Sequence, residues 1–374
     1  MASKRSKSRR RSCKHGKLKR PVRTKNGGKR RCKKSKRKSR RKRKSKRNYK
    51  MRYDYLPEYD KIELIDRMGI KELLIFSKTS KENNELVKRK IRIIINDLAN
   101  NGLTPEEMDD ILDDKNDFFY FVKDNRIDEV RVILKYFPEY INIRDKYSKT
   151  PLMFASEEGN TEIAKLLIER GADVNAQNKY GYSALILASY GGYTEIVRML
   201  IKRGADINKR DSYEGKTPLI YALDKNFTEI AIMLLDEGAD VNIPDKYAET
   251  PLMFASRRGQ TVIVKMLIER GADVDKRDDN GKTALMDAIR GNNPEVINLL
   301  IERGADVKRA DKKFGYTPLM RAIFYGNIQI VRLILEKGVD VNPRDRNGNT
   351  ALTYAIQNDN QQIIDLLRQA GATQ

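Results

Sequence analysis

A 22-residue segment, TPLMFASRRGQTVIVKMLIERG from Thr250 to Gly271, returns again and again through the C-terminal two-thirds of the chain. Thr150–Gly171 reads TPLMFASEEGNTEIAKLLIERG, Thr217–Gly238 reads TPLIYALDKNFTEIAIMLLDEG, and Thr317–Gly338 reads TPLMRAIFYGNIQIVRLILEKG. Thr-Ala-Leu versions begin at Thr283 and Thr350, and a Ser-Ala-Leu version at Ser183. The leading hydroxyl residues are therefore spaced by 33, 34, 33, 33, 34 and 33 residues, and Gly171, Gly204, Gly238, Gly271, Gly304, Gly338 and Gly371 keep the same steps. A fixed period of this length rules out an ordinary globular topology. Each unit is too small to bury its own apolar face and must stack on its neighbours as a solenoid.

The unit explains itself physically. Its Thr caps a short helix, and Pro, where present, occupies the first helical position, where its missing N–H costs nothing. Ala255 and its counterparts Ala155, Ala188, Ala222, Ala288, Ala322 and Ala355 are small enough for neighbouring helices to approach closely. A Gly or Asn (Gly259, Asn226, Asn292) ends the helix at a position that needs a left-handed backbone. A second helix carries Ile263, Val264, Leu267 and Ile268 on one apolar face. The Gly-Ala-Asp glycine stops it, and Asp273, Asp306 and Asp340 lead into a polar turn.

This pattern resembles the ankyrin repeat over roughly residues 117–374. The resemblance implies an all-α ankyrin-repeat solenoid, with two antiparallel helices and a projecting β-turn per unit. One departure stands out. Ankyrin repeats commonly carry a His after Thr-Pro-Leu that hydrogen-bonds between repeats, but here that place holds Met153, Ile186, Ile220, Met253, Met286, Met320 and Thr353. Those hydrogen bonds are expected to be missing, with apolar packing in their stead. Seven units fall near 142–175, 176–208, 209–242, 243–275, 276–308, 309–342 and 343–374. Residues 117–141, without a Thr-Pro-Leu start, read as a divergent capping repeat. The third and sixth units carry one extra turn residue, at Asp211–Gly215 and Asp311–Gly315, and the array is expected to close the protein.

Charge divides the chain. The formal net charge is +24, yet residues 1–53 hold 29 Lys or Arg and no acid, which leaves 47 basic and 52 acidic residues, a net −5, for the rest. Residues 1–52 read as a disordered basic tail, because a segment with almost no large apolar group cannot offset its ordering entropy. Its runs include Lys33, Lys34, Lys36, Arg37 and Lys38, then Arg40, Arg41, Lys42, Arg43 and Lys44. They suit a nuclear localisation signal or non-specific contact with DNA or RNA phosphates. Without interleaved aromatics the tail offers no platform for stacking bases, so any such binding should be steeply salt-dependent. Cys13, His15 and Cys32 admit three readings: free thiols, a disulfide in an oxidising particle, or a zinc site one ligand short. The segment bracketed by the two cysteines resembles basic segments in proteins of large nucleocytoplasmic DNA viruses, which implies a host nucleus or a virus particle as the setting.

Residues 53–116 read as a helical preface or N-terminal cover, with helices near 60–66, 70–76 and 81–100 and a capping box at Thr104-Pro105-Glu106-Glu107. No apolar run approaches 18 residues and no apolar segment follows the basic start, so an intracellular protein is expected. The sole histidine, His15, lies in the tail, and residues 53–374 contain no nucleophile–His pair, phosphate-binding loop or metal-spaced cluster. No enzyme activity, cofactor or metal is expected, and the chain is expected to be a monomer.

Recognition is better marked. Tyr147, Tyr180, Tyr247 and Phe314 stand three residues before the leading hydroxyl, Tyr213 four before, and Tyr182 and Tyr316 beside the same tips. Tyr190, Arg257, Arg258, Arg290, Phe324 and Tyr325 fall at the end of the first helices. Aromatics and Arg dominate interface energies, so these residues are expected to form a continuous partner-binding strip on the concave face. Ala at Arg257, Arg258 and Tyr325 is expected to abolish binding without changing the melting transition.

Overall fold

The computed structural model describes residues 115–373. The basic tail with Cys13, His15 and Cys32, most of the preface with its three helices, and the box at Thr104 lie outside the described residues. Within them are sixteen α-helices in eight successive pairs and no strand. The first pair is α1 (Lys115–Lys123) and α2 (Ile127–Tyr136), followed by a 3-10 turn at Pro138–Asn142. Then come α3 (Pro151–Glu158) and α4 (Thr161–Glu169), α5 (Ala184–Gly191) and α6 (Thr194–Lys202), and α7 (Pro218–Asp224) and α8 (Thr228–Asp236). The array continues with α9 (Pro251–Arg257) and α10 (Thr261–Glu269), α11 (Ala284–Arg290) and α12 (Pro294–Glu302), α13 (Pro318–Phe324) and α14 (Ile328–Leu335), and α15 (Ala351–Gln357) and α16 (Gln361–Gln369). First helices pack on first helices and second on second, which gives the solenoid two layers with the core between them.

The local rules hold, with one exception. The hydroxyls of Thr150, Ser183, Thr217, Thr250, Thr317 and Thr350 each accept the backbone N–H three residues on, at 3.2–3.3 Å. Thr283 makes no such bond; its Oγ1 is buried without a partner, and its φ of −114° departs from the other caps. In two units the methionine that stands where the resemblance expects histidine also serves the cap: the Thr150 and Thr250 N–H groups point at Met153 and Met253 sulfurs, at 3.5 and 3.4 Å. The left-handed positions are as expected, with φ of +71° at Gly259, +64° at Asn226 and +57° at Asn292. At Gly259 a Cβ would also stand 2.5 Å from the Asn293 side chain.

The seven alanines are fully buried between helices, as are Leu167, Leu200, Leu234, Leu267 and Leu300 of the second helices. Each such leucine contributes about 1.5–3 kcal/mol by leaving water. Met153, Ile186, Ile220, Met253, Met286 and Met320 are buried as well, so apolar packing does stand in for the histidines. Hydrogen bonds between units nevertheless exist, from another set of residues. The amides of Asn160, Gln260, Asn293 and Asn358, just before or at the inter-helix turn, donate to carbonyls of the preceding unit: Val122 at 2.8 Å, Leu223 at 3.4 Å, Ser256 at 2.9 Å and Ile323 at 3.2 Å.

A second ladder runs along the far loops. Asn175, Asn242 and Asn342 accept from Asp206, Asp273 and Thr373 N–H groups and donate to the Gly204, Gly271 and Gly371 carbonyls. In the fourth unit Asp275 takes over; it accepts from Asp306 N–H at 2.9 Å but, as a carboxylate, has nothing to donate to Gly304.

Candidate partner-binding face

Each projecting turn is built on one Asp or Asn, buried in every turn but the first, where Asp145 is half-buried. Asp145 accepts the Tyr147 and Lys149 N–H groups at 2.8 and 2.7 Å, and Asn178 accepts those of Tyr180 and Tyr182 at 2.9 and 3.0 Å. Asp211, Asp245, Asp278, Asp311 and Asp345 repeat this. The recurrent carboxylates are thus scaffolding for the turns. Consecutive tips are stitched by backbone bonds: Lys179 N–H to Tyr147 C=O (3.0 Å), Ser212 to Tyr180 (2.8 Å), Lys246 to Glu214 (2.9 Å), Asp279 to Tyr247 (3.0 Å), Lys312 to Asn280 (2.8 Å) and Arg346 to Phe314 (3.0 Å). The residue at the tip is thereby fixed with its side chain free.

Tyr147, Tyr180, Tyr213, Tyr247 and Phe314 all stand out into solvent, 42–65% exposed. Tyr147 and Tyr180 face one another with ring centroids 6.5 Å apart. Lys246 lies over both Tyr213 (4.7 Å) and Tyr247 (5.0 Å) and donates to the Tyr213 carbonyl at 2.9 Å. Lys146 and Lys313 cover Tyr147 and Phe314 in the same way. The strip is not continuous, however. No ring contact joins Tyr180 to Tyr213 among the described residues, and Asn280 takes the tip position between Tyr247 and Phe314. Tyr182 is half-buried against Met153, Ala176 and Leu187 and serves packing between turns. Tyr316, expected beside the tips like Tyr182, also serves packing: it stacks on Phe314 at 5.4 Å and accepts a hydrogen bond from the Tyr354 hydroxyl at 3.2 Å.

Behind the tips, the first helices form the floor. Tyr190 is half exposed, meets Tyr221 edge-on at 5.7 Å and lies under Lys225 at 4.4 Å. Phe324 and Tyr325 are exposed and pack edge to face. Arg290 is exposed and has no hydrogen bond or ion pair among the described residues.

The other two arginines differ from expectation. Arg257 grips Asp287 of the next unit with Nε to Oδ1 at 3.1 Å and Nη2 to Oδ2 at 3.0 Å, and also pairs with Glu249. Asp287 is 1% exposed. Burial pushes its carboxyl above the ordinary range, helped by Glu249 and opposed by Arg257. Arg257 is therefore a structural cation, and its removal would change the melting transition. Arg258 pairs with Asp224 at 3.1 Å but remains half exposed. Burial raises the Asp224 carboxyl, yet the pull of Arg258 and Lys216 outweighs it and holds the group below its usual value. Lys216 is in turn lowered by burial, but Glu214 and Asp224 hold it above its ordinary range.

Two classes of cation emerge. Lys149, Lys216, Arg257 and Arg258, on the floor, are neutralised by the chain's own carboxylates. On the turns, Arg144, Arg210, Arg277 and Arg344 bind backbone carbonyls, and Lys146, Lys246 and Lys313 ride on rings. None of these seven has an ion pair among the described residues.

Among the described residues no group of three His, Cys, Asp or Glu could hold a metal ion. A shallow cleft lined by Val307, Leu319, Val339 and Pro343 offers only Lys308 and Asp340 as titratable groups. No helix among them is long and apolar enough to cross a membrane.

The family model described as Ankyrin repeats (3 copies) matches residues 173–245, 242–311 and 308–374, and that described as Ankyrin repeats (many copies) matches 133–188. The chain belongs to the ankyrin-repeat family. No curated protein matches it. Ankyrin repeats are in general non-catalytic modules of protein–protein interaction, which is the role that family membership supports here. The tip turns and first helices of this ankyrin array present its exposed rings on the side where the units leave them without cover.

Proposed function

We propose that this ankyrin-repeat protein is a non-catalytic adaptor that holds a protein partner on the face made by its turns and first helices. The observation that carries the reading is the set of rings left in solvent there: Tyr147, Tyr180, Tyr190, Tyr213, Tyr247, Phe314, Phe324 and Tyr325. Exposing that much aromatic surface on one side of a well-packed array makes physical sense where a partner covers it. The chain acts as a single copy in this reading, with the basic tail directing it to a host nucleus or to nucleic acid.

A second reading rests on the 29 basic residues without an acid in residues 1–53: the tail binds DNA or RNA non-specifically, as in packaging, and the array docks it. Capture from nuclease-treated lysate, with the full chain beside one lacking residues 1–52, tests both. An adaptor retains a stoichiometric protein in both forms and loses it when Tyr190, Phe324 and Tyr325 become Ala. Capture that needs the tail and vanishes with nuclease refutes the adaptor.

A further inference from the structure

The first four turn tips each carry an exposed ring, and three of them set an exposed lysine directly before it: Lys146–Tyr147, Lys179–Tyr180 and Lys246–Tyr247, with Tyr213 the ring of the tip between the last two. None of these lysines has an ion pair among the described residues. Lys146 lies 4.9 Å from the centre of the Tyr147 ring, and Lys246 lies 4.7 and 5.0 Å from those of Tyr213 and Tyr247. The acids of the same turns do not answer them: Asp145, Asp211 and Asp245 are taken up by tip N–H groups, and Glu214 is paired with Lys216 at 2.7 Å. Backbone bonds from Lys179 to Tyr147, Ser212 to Tyr180 and Lys246 to Glu214 hold the four tips in one row. Tyr180 and Tyr247 are each met by a single ring or cation among the described residues and stay about half exposed, so each keeps open ring surface. The row ends at the fifth tip, where Asn280 takes the place of the ring and Asp279 brings an exposed carboxylate.

We infer that this row binds single-stranded nucleic acid: bases stack on Tyr147, Tyr180, Tyr213 and Tyr247, and phosphates meet Lys146, Lys179 and Lys246. Rings interleaved with uncompensated cations are the combination that holds such strands, because every base has a face to stack and every nucleotide brings a phosphate. The basic tail has no such platform, since residues 1–48 contain no aromatic. An acidic protein segment would use the cations, but a nucleotide strand offers both a charge and a flat group at each step. A duplex keeps its bases stacked on one another and away from protein rings. This goes beyond the adaptor reading, whose test uses the rings of Tyr190, Phe324 and Tyr325 behind the tips.

The chain has no tryptophan, so Tyr213→Trp in the full chain gives a single reporter within the row. Oligothymidine and oligouridine are expected to quench its emission to saturation, the tighter of the two naming the strand as DNA or RNA. An abasic oligomer of equal length and charge, which the basic tail can hold as well, is expected to leave the emission unchanged. Tyr180→Ala or Tyr247→Ala, each at an exposed side chain and with the melting transition kept, is expected to raise the half-saturating concentration about fivefold or more, the lower end for one lost stacking contact. Lys246→Gln is expected to make the log–log salt slope shallower by about 0.7. Equal quenching by the abasic oligomer or by a duplex would overturn base stacking at the tips. A response to a Glu–Leu peptide with none to the oligonucleotides would overturn the nucleic-acid class and return the tips to a protein partner. Silence with every probe would remove the site, and in each of these cases the adaptor reading would stand on its own test.

Discussion

Arg257→Ala is expected to destabilise the middle of the array by about 3 kcal/mol. Removing one partner of a buried pair leaves an uncompensated charge, which costs ~3–5 kcal/mol at full burial. The Asp287 side chain is 1% exposed and would lose both of its bonds to Arg257, but Arg257 itself is 23% exposed, so water reaches one side and the lower end applies. Replacing both partners by apolar residues, Arg257→Met with Asp287→Leu, removes the buried charge as well and is expected to be neutral or stabilising. The loss in Arg257→Ala should shrink as pH falls, because Asp287, whose carboxyl burial already raises, escapes by taking a proton. In a solenoid the effect is local, so the assay is native-state hydrogen exchange of amides in α9 and α11. An Arg257→Ala change below about 0.5 kcal/mol at neutral pH, or a double variant as unstable as the single, would refute the assignment of Arg257 as a buried-pair cation.

Thr250→Val should cost about 1 kcal/mol through loss of its cap, whereas Thr283→Val should cost nothing or stabilise, since the Thr283 hydroxyl is buried unpaired; parallel denaturant titrations decide this. Asp275→Asn should restore the rung to the Gly304 carbonyl and add about 0.5–1 kcal/mol, read as slower exchange in the fourth and fifth units. Asp345 is raised by burial, but the Tyr354 hydroxyl and the Asn349 and Asn347 amides outweigh this and hold it below its ordinary range. Its contribution is therefore complete above the unfolded value, about 4, and is lost as pH falls through the lower folded one. Asp345→Asn should flatten the acid limb of unfolding midpoint against pH.

What the sequence made legible was whatever a unit repeats within itself. The 33-residue period, the Thr caps and the left-handed Gly259, Asn226 and Asn292 are local rules stated seven times over, and the tip rings could be read as exposed because nothing in the unit covers them. What escaped depends on stacking. Arg257 looked free because its carboxylates stand 8 residues before it and 30 after, a spacing that becomes a contact only when first helices lie side by side. Tyr182 reads the same as Tyr180 in sequence, yet Tyr180 stays in solvent at the tip while Tyr182 packs against Met153, Ala176 and Leu187. The Asn175, Asn242 and Asn342 ladder left a signal, recurrence two residues after the Gly-Ala-Asp aspartate, that was passed over in favour of the glycine. Thr283 carries the same letter as its counterparts and fails to cap, which no one-dimensional pattern announces.

Most joints in this array are made by parts that every unit carries, such as the stitched tip and the small alanine. Units of that kind are interchangeable bricks, and one more or one fewer leaves matching surfaces behind. The joint at Arg257 and Asp287 is different, because one unit brings the cation and the next a carboxylate that is fully buried. A duplication or deletion that cut between them would strand a charge in the interior. The fourth and fifth units are therefore bound to travel as a couple through any change in the length of the array, and a designer trimming or extending the protein should cut elsewhere.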